Sequence, residues 1–85
     1  GLSDRQLLKV ADYINAHLAD DIALRDLAQL VDMSPFHFSR LFKRSMQVTP
    51  HQYLLQQRVE QAKQLLKQTE LSIMDIALQC GFSSH

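Results

Sequence analysis

Four polar residues that suit helix N-caps divide this chain into helices, and they constrain its fold more than any other feature. The caps are Ser3, Ser34, Thr49 and Ser72. A side-chain oxygen at such a position accepts a hydrogen bond from a backbone N–H that the helix start leaves unpaired. Gln6 and Gln52 each follow a cap by three residues and complete two capping boxes. The caps therefore predict an all-α fold.

Apolar residues recur at helical spacing after each cap, and this spacing gives the extent of each predicted helix. The predicted helices cover residues 4–18, 24–30, 35–46, 50–68 and 73–79. The second is weaker than the others because Ala23 stands where a capping side chain is expected. The predicted buried stripes are Phe38, Leu41 and Phe42 in the third helix and Leu55, Val59, Ala62 and Leu66 in the fourth.

Composition indicates one small helical domain. The chain has 85 residues, of which 46% are apolar and only two are glycine. No apolar run approaches the ~20 residues that cross a bilayer, and nothing resembles a signal peptide, so we expect a soluble, cytoplasmic protein. The single cysteine, Cys80, is expected in the core. The four histidines are scattered, and we expect neither a metal nor a cofactor.

The charges cancel over the whole chain but separate along it. Residues 1–32 carry three basic and six acidic side chains, a net charge of −3. Residues 33–69 carry six basic side chains and one acidic side chain, a net charge of +5. A basic segment of this kind attracts phosphates to one side of a molecule. The formal net charge of zero therefore does not argue against nucleic acid as a partner.

The link between the second and third predicted helices is typical of a helix-turn-helix motif. Only residues 31–33 separate the helices, and Ala28 is small enough to let them approach closely. Asp32 occupies a turn position that usually needs positive φ, which glycine adopts more easily. The third helix, here called the reading helix, has a second face that carries Phe36, Ser39, Arg40 and Lys43. That face suits the major groove of DNA, and an ordinary solvated basic face is the alternative.

An internal repeat includes the first part of this motif. At a constant offset of 49, Leu24, Asp26, Leu27, Ala28, Val31, Met33 and Ser34 correspond to Ile73, Asp75, Ile76, Ala77, Cys80, Phe82 and Ser83. Gly81 stands in the second turn where Asp32 stands in the first. We expect one complete helix-turn-helix and the first half of another, with the second half the less stable end. The sequence stops at His85, about where a second reading helix would begin, which suggests a truncated product.

These residues resemble the DNA-binding domain of AraC-type (AraC/XylS) transcription regulators of bacteria, over nearly the whole chain. The matching residues are Leu27, Ala28, Ser34, Pro35, Ser39, Arg40, Leu41, Phe42, Lys43, Thr49, Pro50, Tyr53, Arg58, Ala62, Leu65, Leu66, Ser72, Ile73, Asp75, Ile76, Ala77, Gly81 and Phe82. The resemblance implies two homeodomain-like three-helix units joined by one long helix, with reading helices in adjacent major grooves. It divides the chain into a first helix-turn-helix unit (1–48), a linker helix (49–69) and an incomplete second unit (70–85). Asp32 and Gln47 depart from the family pattern, which usually has glycine at both positions.

The resemblance also assigns candidate DNA contacts. The positions that reach base edges in the family are Phe36, Ser39 and Arg40. Arg40 is the strongest candidate because a guanidinium donates a fork to guanine O6 and N7, whereas Phe36 is alternatively a core residue. The expected phosphate contacts are Ser34, His37, Lys43, Arg44, His51 and Gln52. His37 is alternatively a bystander, and Arg58 is either a phosphate contact or a structural residue paired with an acidic group.

The predicted function is sequence-specific binding of double-stranded DNA by a bacterial transcription regulator, with helix 35–46 in the major groove. The alternative is a helical protein-interaction module whose basic face contacts an acidic partner, for example RNA polymerase. An enzyme is not expected, since no nucleophile with a base, paired carboxylates or metal cluster lies together in the sequence. Any effector is expected to bind a domain outside this chain, and the sequence does not distinguish an activator from a repressor.

Overall fold

Five α-helices form where the capped, periodic segments predict them, in a computed structural model that describes residues 1–82. They are α1 (Asp4–Ala16), α2 (Leu24–Leu30), α3 (Pro35–Met46), α4 (Pro50–Gln68) and α5 (Ile73–Gln79). No strand occurs within these residues, so the all-α prediction is confirmed. None of the described helices combines the length and the apolar character that a membrane crossing requires.

Side-chain caps begin four of these five helices, as the sequence predicts. In α1, the Gln6 N–H donates to Ser3 Oγ at 3.1 Å, and the Ser3 N–H donates to Gln6 Oε1 at 2.9 Å. Thr49 and Gln52 form the same reciprocal pair at the start of α4, with distances of 3.1 and 2.9 Å. Both predicted capping boxes are therefore confirmed.

Two helix ends differ in detail from the prediction. α1 ends at Ala16 because the His17 N–H donates to the Ile14 carbonyl, three residues back, at 3.2 Å. Such a bond closes a tighter turn than the four-residue bond of an α-helix. α2 begins without a capping side chain at Ala23, but the Asp26 carboxylate accepts the Ala23 N–H at 3.1 Å. Half of a capping box thus compensates for the missing cap.

The core lies where α1, α2 and α3 meet the first turns of α4. Its buried side chains include Val10, Ile14, Leu27, Ala28, Phe38, Phe42 and Leu54. The ring centroids of Phe38 and Phe42 are 5.7 Å apart, and Tyr53 meets Phe42 edge-on at 5.8 Å. Leu41 is half-buried beside them, which confirms the predicted stripe of α3. This packing determines which side of α3 faces outward.

The predicted inner stripe of α4 is wrong. Three of its members are exposed: Leu55, Val59 and Leu66. Leu54 is buried in the core instead, and Arg58 is half-buried one turn later on the same side. Ala62 is the one predicted member that is half-buried. Adjacent leucines fit either face of the helix, and the charged Arg58 made the true inner face look like the polar one.

The two turns of the internal repeat have the same backbone geometry. Their positive-φ residues are Asp32 (φ 54°) and Gly81 (φ 85°). Their closing hydrogen bonds run from the Met33 N–H to the Ala28 carbonyl at 3.0 Å and from the Phe82 N–H to the Ala77 carbonyl at 2.8 Å. The sequence repeat is therefore a structural repeat. Ser83, the predicted counterpart of the Ser34 cap, lies outside the described residues.

α5 is covered less completely than α2, its counterpart in the repeat. Ile76 and Cys80 are buried, but Ile73 and Met74 are 78% and 72% exposed. Burial raises the pKa of the Cys80 thiol by desolvation. The predicted core position of Cys80 is confirmed.

Gln47 ends α3 in the left-handed conformation, with φ 66° and ψ 7°. A non-glycine residue is strained there by roughly 1–2 kcal/mol. Glycine relieves this strain but also increases the conformational entropy of the unfolded chain, which offsets part of the gain. We therefore expect Gln47→Gly to raise the free energy of unfolding by about 0.5–1 kcal/mol. Urea denaturation measures this change. The control is Gln61→Gly, at an exposed position in the middle of α4, which should lower the free energy of unfolding by about 1 kcal/mol. Equal destabilisation by both substitutions would contradict the assignment of strain to residue 47.

Candidate nucleic-acid interface

The outward face of α3 carries an aromatic ring and a guanidinium in contact. Phe36 is 73% exposed, which excludes its alternative assignment as a core residue. The Arg40 guanidinium carbon lies over the Phe36 ring, 5.7 Å from its centroid. A cation at this distance is attracted by the ring quadrupole. The two side chains therefore form one unit on the exposed surface.

A shallow basic depression of about 460 Å³ continues from this pair along α3. It is lined by Ser39, Arg40, Lys43, Arg44 and Gln47. Within residues 1–82 the one ion pair joins Lys63 to Glu60, so no carboxylate neutralises the cations of this depression. Surface cations without a carboxylate partner attract phosphate.

Ser39 sits deeper than the other candidate base contacts. It is half-buried and lines both the basic depression and a cavity of about 210 Å³ between α2, α3 and the first turn of α4. His51 lines the same cavity. The first turn of α4 therefore borders the Ser39 edge of α3, and the structure brings one predicted base contact and one predicted phosphate contact to the same cavity.

The helix starts that face this surface are held by their caps. The His37 N–H donates to Ser34 Oγ at 3.2 Å, and His37 itself is exposed. In α4 the Gln52 N–H and its side-chain carbonyl are both engaged in the capping box with Thr49. The Gln52 amide NH₂ and the exposed His51 remain as donors toward an anion.

Sequence reasoning missed the contacts of two residues near the end of α3. Gln47 lines the basic depression, and its side-chain amide donates to the Arg44 carbonyl at 3.0 Å. Ser45 Oγ accepts the Leu2 N–H at 2.8 Å and so ties the start of α1 to the last turn of α3. In the sequence, Gln47 stands out only as a departure from glycine, and Ser45 carries no signal because a polar side chain near a helix end is common in any helical protein.

The structural alternative for Arg58 needs a correction. No acidic side chain within the described residues pairs with its guanidinium. Its Nε donates instead to the Leu18 carbonyl at 3.0 Å, and its Nη2 donates to the Asp20 carbonyl at 3.0 Å. Arg58 thus has a structural role, with backbone carbonyls rather than a carboxylate as its partners.

Comparison with known proteins agrees with this geometry. A family described as a helix-turn-helix domain matches residues 27–85. The regulatory protein PocR of Salmonella typhimurium is 40% identical over 80 residues, which are 94% of this chain and 26% of PocR. The HTH-type transcriptional regulator CdhR of Pseudomonas aeruginosa is 33% identical over 84 residues, 99% of this chain and 25% of CdhR. The chain thus spans about a quarter of the length of these two curated relatives.

Solved structures give the same result. A transcriptional regulator from Chromobacterium violaceum with an AraC-type DNA-binding domain superposes with a TM-score of 0.86 and 36% identity, over 94% of this chain and 71% of that one. The DNA-binding domain of AdpA, solved in complex with a target DNA, superposes with a TM-score of 0.84 and 34% identity, over 93% of this chain and 71% of that one. The chain therefore belongs to the AraC-type helix-turn-helix family.

Proposed function

We propose that this chain binds double-stranded DNA sequence-specifically, as part of a bacterial transcription regulator, and that α3 lies in the major groove. The observation that carries the proposal is the outward face of α3. It presents Arg40, Lys43 and Arg44 without a carboxylate partner in the described part of the chain. The buried side of the same helix, with Phe38 and Phe42, fixes this face outward.

Within the proposal, α3 divides its contacts between bases and phosphates. Arg40 and Phe36 lie in the first turns of the helix, the part that reaches base edges in helix-turn-helix proteins. Lys43 and Arg44 lie in its last turn and are assigned to phosphates. Ser39 is assigned to a base edge and lies half-buried at the margin of the exposed face.

The remaining phosphate contacts are assigned to the helix starts. Ser34 and His37 lie at the start of α3, and His51 and Gln52 lie at the start of α4. Helix N-termini carry partial positive charge and attract phosphate. A protein with this activity acts at the nucleoid in the bacterial cytoplasm. RNA polymerase contacts and an effector domain outside these residues are further parts of the proposal.

A titration with duplex DNA tests this function. Binding sites are first selected from a random duplex pool, and affinity is then measured by fluorescence anisotropy between about 50 and 200 mM salt. The two assigned cations, Lys43 and Arg44, together with the positive helix starts should neutralise roughly three phosphates, so log K should fall against log salt with a slope near −3. One reading helix with few phosphate contacts should bind close to the range of non-specific complexes, with dissociation constants of about 10⁻⁴ to 10⁻⁶ M near physiological salt.

The matched control is Lys63→Ala, because the Lys63 ammonium lies 3.5 Å from Glu60 on an exposed part of α4 away from the depression. It should leave both affinity and slope unchanged. Binding to isolated RNA polymerase subunits, with no salt-dependent binding to any duplex, would instead favour the protein-interaction alternative.

A further inference from the structure

We propose that Arg58 and Gly81 form a joint that fixes α5 relative to α3, which makes Arg58 a positioning residue for DNA binding. The joint consists of the Arg58 guanidinium, the carbonyls of Leu18 and Asp20, and the backbone of Gly81. It connects three segments of the chain: the link between α1 and α2, the middle of α4, and the turn that follows α5.

The first half of the joint is a pair of long-range hydrogen bonds. Arg58 Nε and Nη2 donate to the Leu18 and Asp20 carbonyls, both at 3.0 Å and across 40 and 38 residues of chain. The Leu18 carbonyl follows the end of α1, where the helix dipole favours a cation. The planar guanidinium offers two donors in a fixed geometry, so it holds both carbonyls at once.

The second half of the joint is the absence of a side chain at Gly81. A Cβ built on this residue would collide with the Leu18 carbonyl oxygen and would lie 2.7 Å from Arg58 Nε and 2.9 Å from Arg58 Cζ. The positive φ of 85° is a second reason for glycine. The turn after α5 therefore packs its backbone directly on the arginine and on the carbonyl that the arginine binds.

Besides the joint, α5 packs mainly against α4. Ile76 of α5 and the following Cys80 are buried but lie outside the main core cluster, and three other apolar side chains of α5 are more than half exposed. With Ile76 buried within the seven-residue helix and Cys80 buried directly after it, this packing constrains the tilt of α5 only weakly. The joint supplies a third, directional point of attachment.

Orientation matters because α5 is the repeat counterpart of α2. In a helix-turn-helix the first helix crosses the DNA backbone while the second reads the groove. Nineteen-residue α4 spans about 28 Å, and α5 follows it and packs back against it. The joint then sets which phosphates α5 meets. This step rests on the proposed function, whereas the joint itself does not.

Backbone orientation is the first measurement. Residual dipolar couplings are recorded on the 85-residue chain and on Arg58→Met, which keeps the aliphatic stem and removes both donors. For the wild type, one alignment should describe all five helices. In Arg58→Met, α1 to α4 should keep that alignment while the α5 couplings shrink about two-fold through averaging. Gly81→Ala should give the same result, and Lys63→Met, on the same helix, should match the wild type.

Hydroxyl-radical footprinting on a selected duplex is the second measurement. The wild type and Lys63→Met should protect two backbone segments, one beside the groove read by α3 and one that α5 meets. Arg58→Met should keep the α3 segment and lose about half or more of the α5 protection. Equal loss of both segments would mean that Arg58 acts on the whole fold or contacts DNA itself, and would overturn the proposal.

Unchanged α5 couplings in Arg58→Met would also overturn it, since Ile76 and Cys80 would then be sufficient. If Arg58→Met does not fold, Arg58→Lys replaces it, because lysine keeps the charge but cannot hold two carbonyls with one planar group. A wild-type chain that protects no DNA would refute the proposed function, and the dipolar couplings would still decide the joint.

Discussion

Phe42→Ala should lower the free energy of unfolding by about 3 to 5 kcal/mol, the usual cost of removing a buried phenyl ring. The side chain is 2% exposed and lies between the rings of Phe38 and Tyr53, with centroids 5.7 and 5.8 Å away. The cavity left behind cannot collapse easily, because three helices meet around it. Domains are stable by only about 5 to 15 kcal/mol, so the variant should be close to unfolding at room temperature. Thermal and urea denaturation measure the loss.

Phe36→Ala is the matched control, since it removes the same ring from the opposite side of the same helix. At 73% exposure, its loss should change the free energy of unfolding by no more than about 0.5 kcal/mol. Comparable damage from the two substitutions would mean that α3 is rotated about its axis, and the proposed DNA face would then be wrong.

The helix starts were the most predictable part of the fold, because caps act over three or four residues of sequence. Ser3, Ser34, Thr49 and Ser72 accept the hydrogen bonds that their spacing predicts. The turn at Asp32 was equally predictable from its equivalence to Gly81, and both residues have positive φ. Local rules of this kind need no knowledge of what packs on the helix.

The inner face of α4 was not predictable in this way, because burial depends on what lies opposite. Leu54 and Leu55 are chemically equal, and only the position of the core decides which one is buried. The hydrogen bonds of Arg58 join residues about 40 positions apart, and the acceptors are backbone carbonyls that every residue has. The pattern of side chains along the sequence therefore does not indicate such partners.

The candidate site combines features that the sequence predicts with features that depend on tertiary packing. Phe36, Arg40, Lys43 and Arg44 share an exposed face because α3 is a regular helix with a known buried stripe. The partial burial of Ser39 and its proximity to His51 depend on how α4 crosses α3, which the helical period does not specify. Helix geometry therefore predicted the exposed basic face of α3, and tertiary packing determined its edge.

Arg40→Ala should weaken binding to a selected duplex by about 1 to 3 kcal/mol and relax the preference at one base pair. The guanidinium lies over the Phe36 ring at 5.7 Å, and no carboxylate within residues 1–82 competes for it. A fork of two donors is therefore available for guanine O6 and N7 at little cost in ordering the side chain. Titrations on the selected duplex and on each single-base variant measure both affinity and discrimination.

Lys43→Ala tests whether Arg40 acts by recognising a base or only by its positive charge. Lys43 lies one turn after Arg40 in the same basic depression, so both substitutions remove one positive charge from one surface. A lysine is a point charge with rotatable donors and suits a phosphate, which has the same charge at every sequence. Lys43→Ala should weaken binding to all duplexes alike and make the salt slope shallower by about one unit. Arg40→Ala should change the ranking of duplexes as well as the affinity. If both variants lost affinity uniformly and kept the wild-type ranking, neither residue would read a base, and α3 would bind DNA through its charge alone.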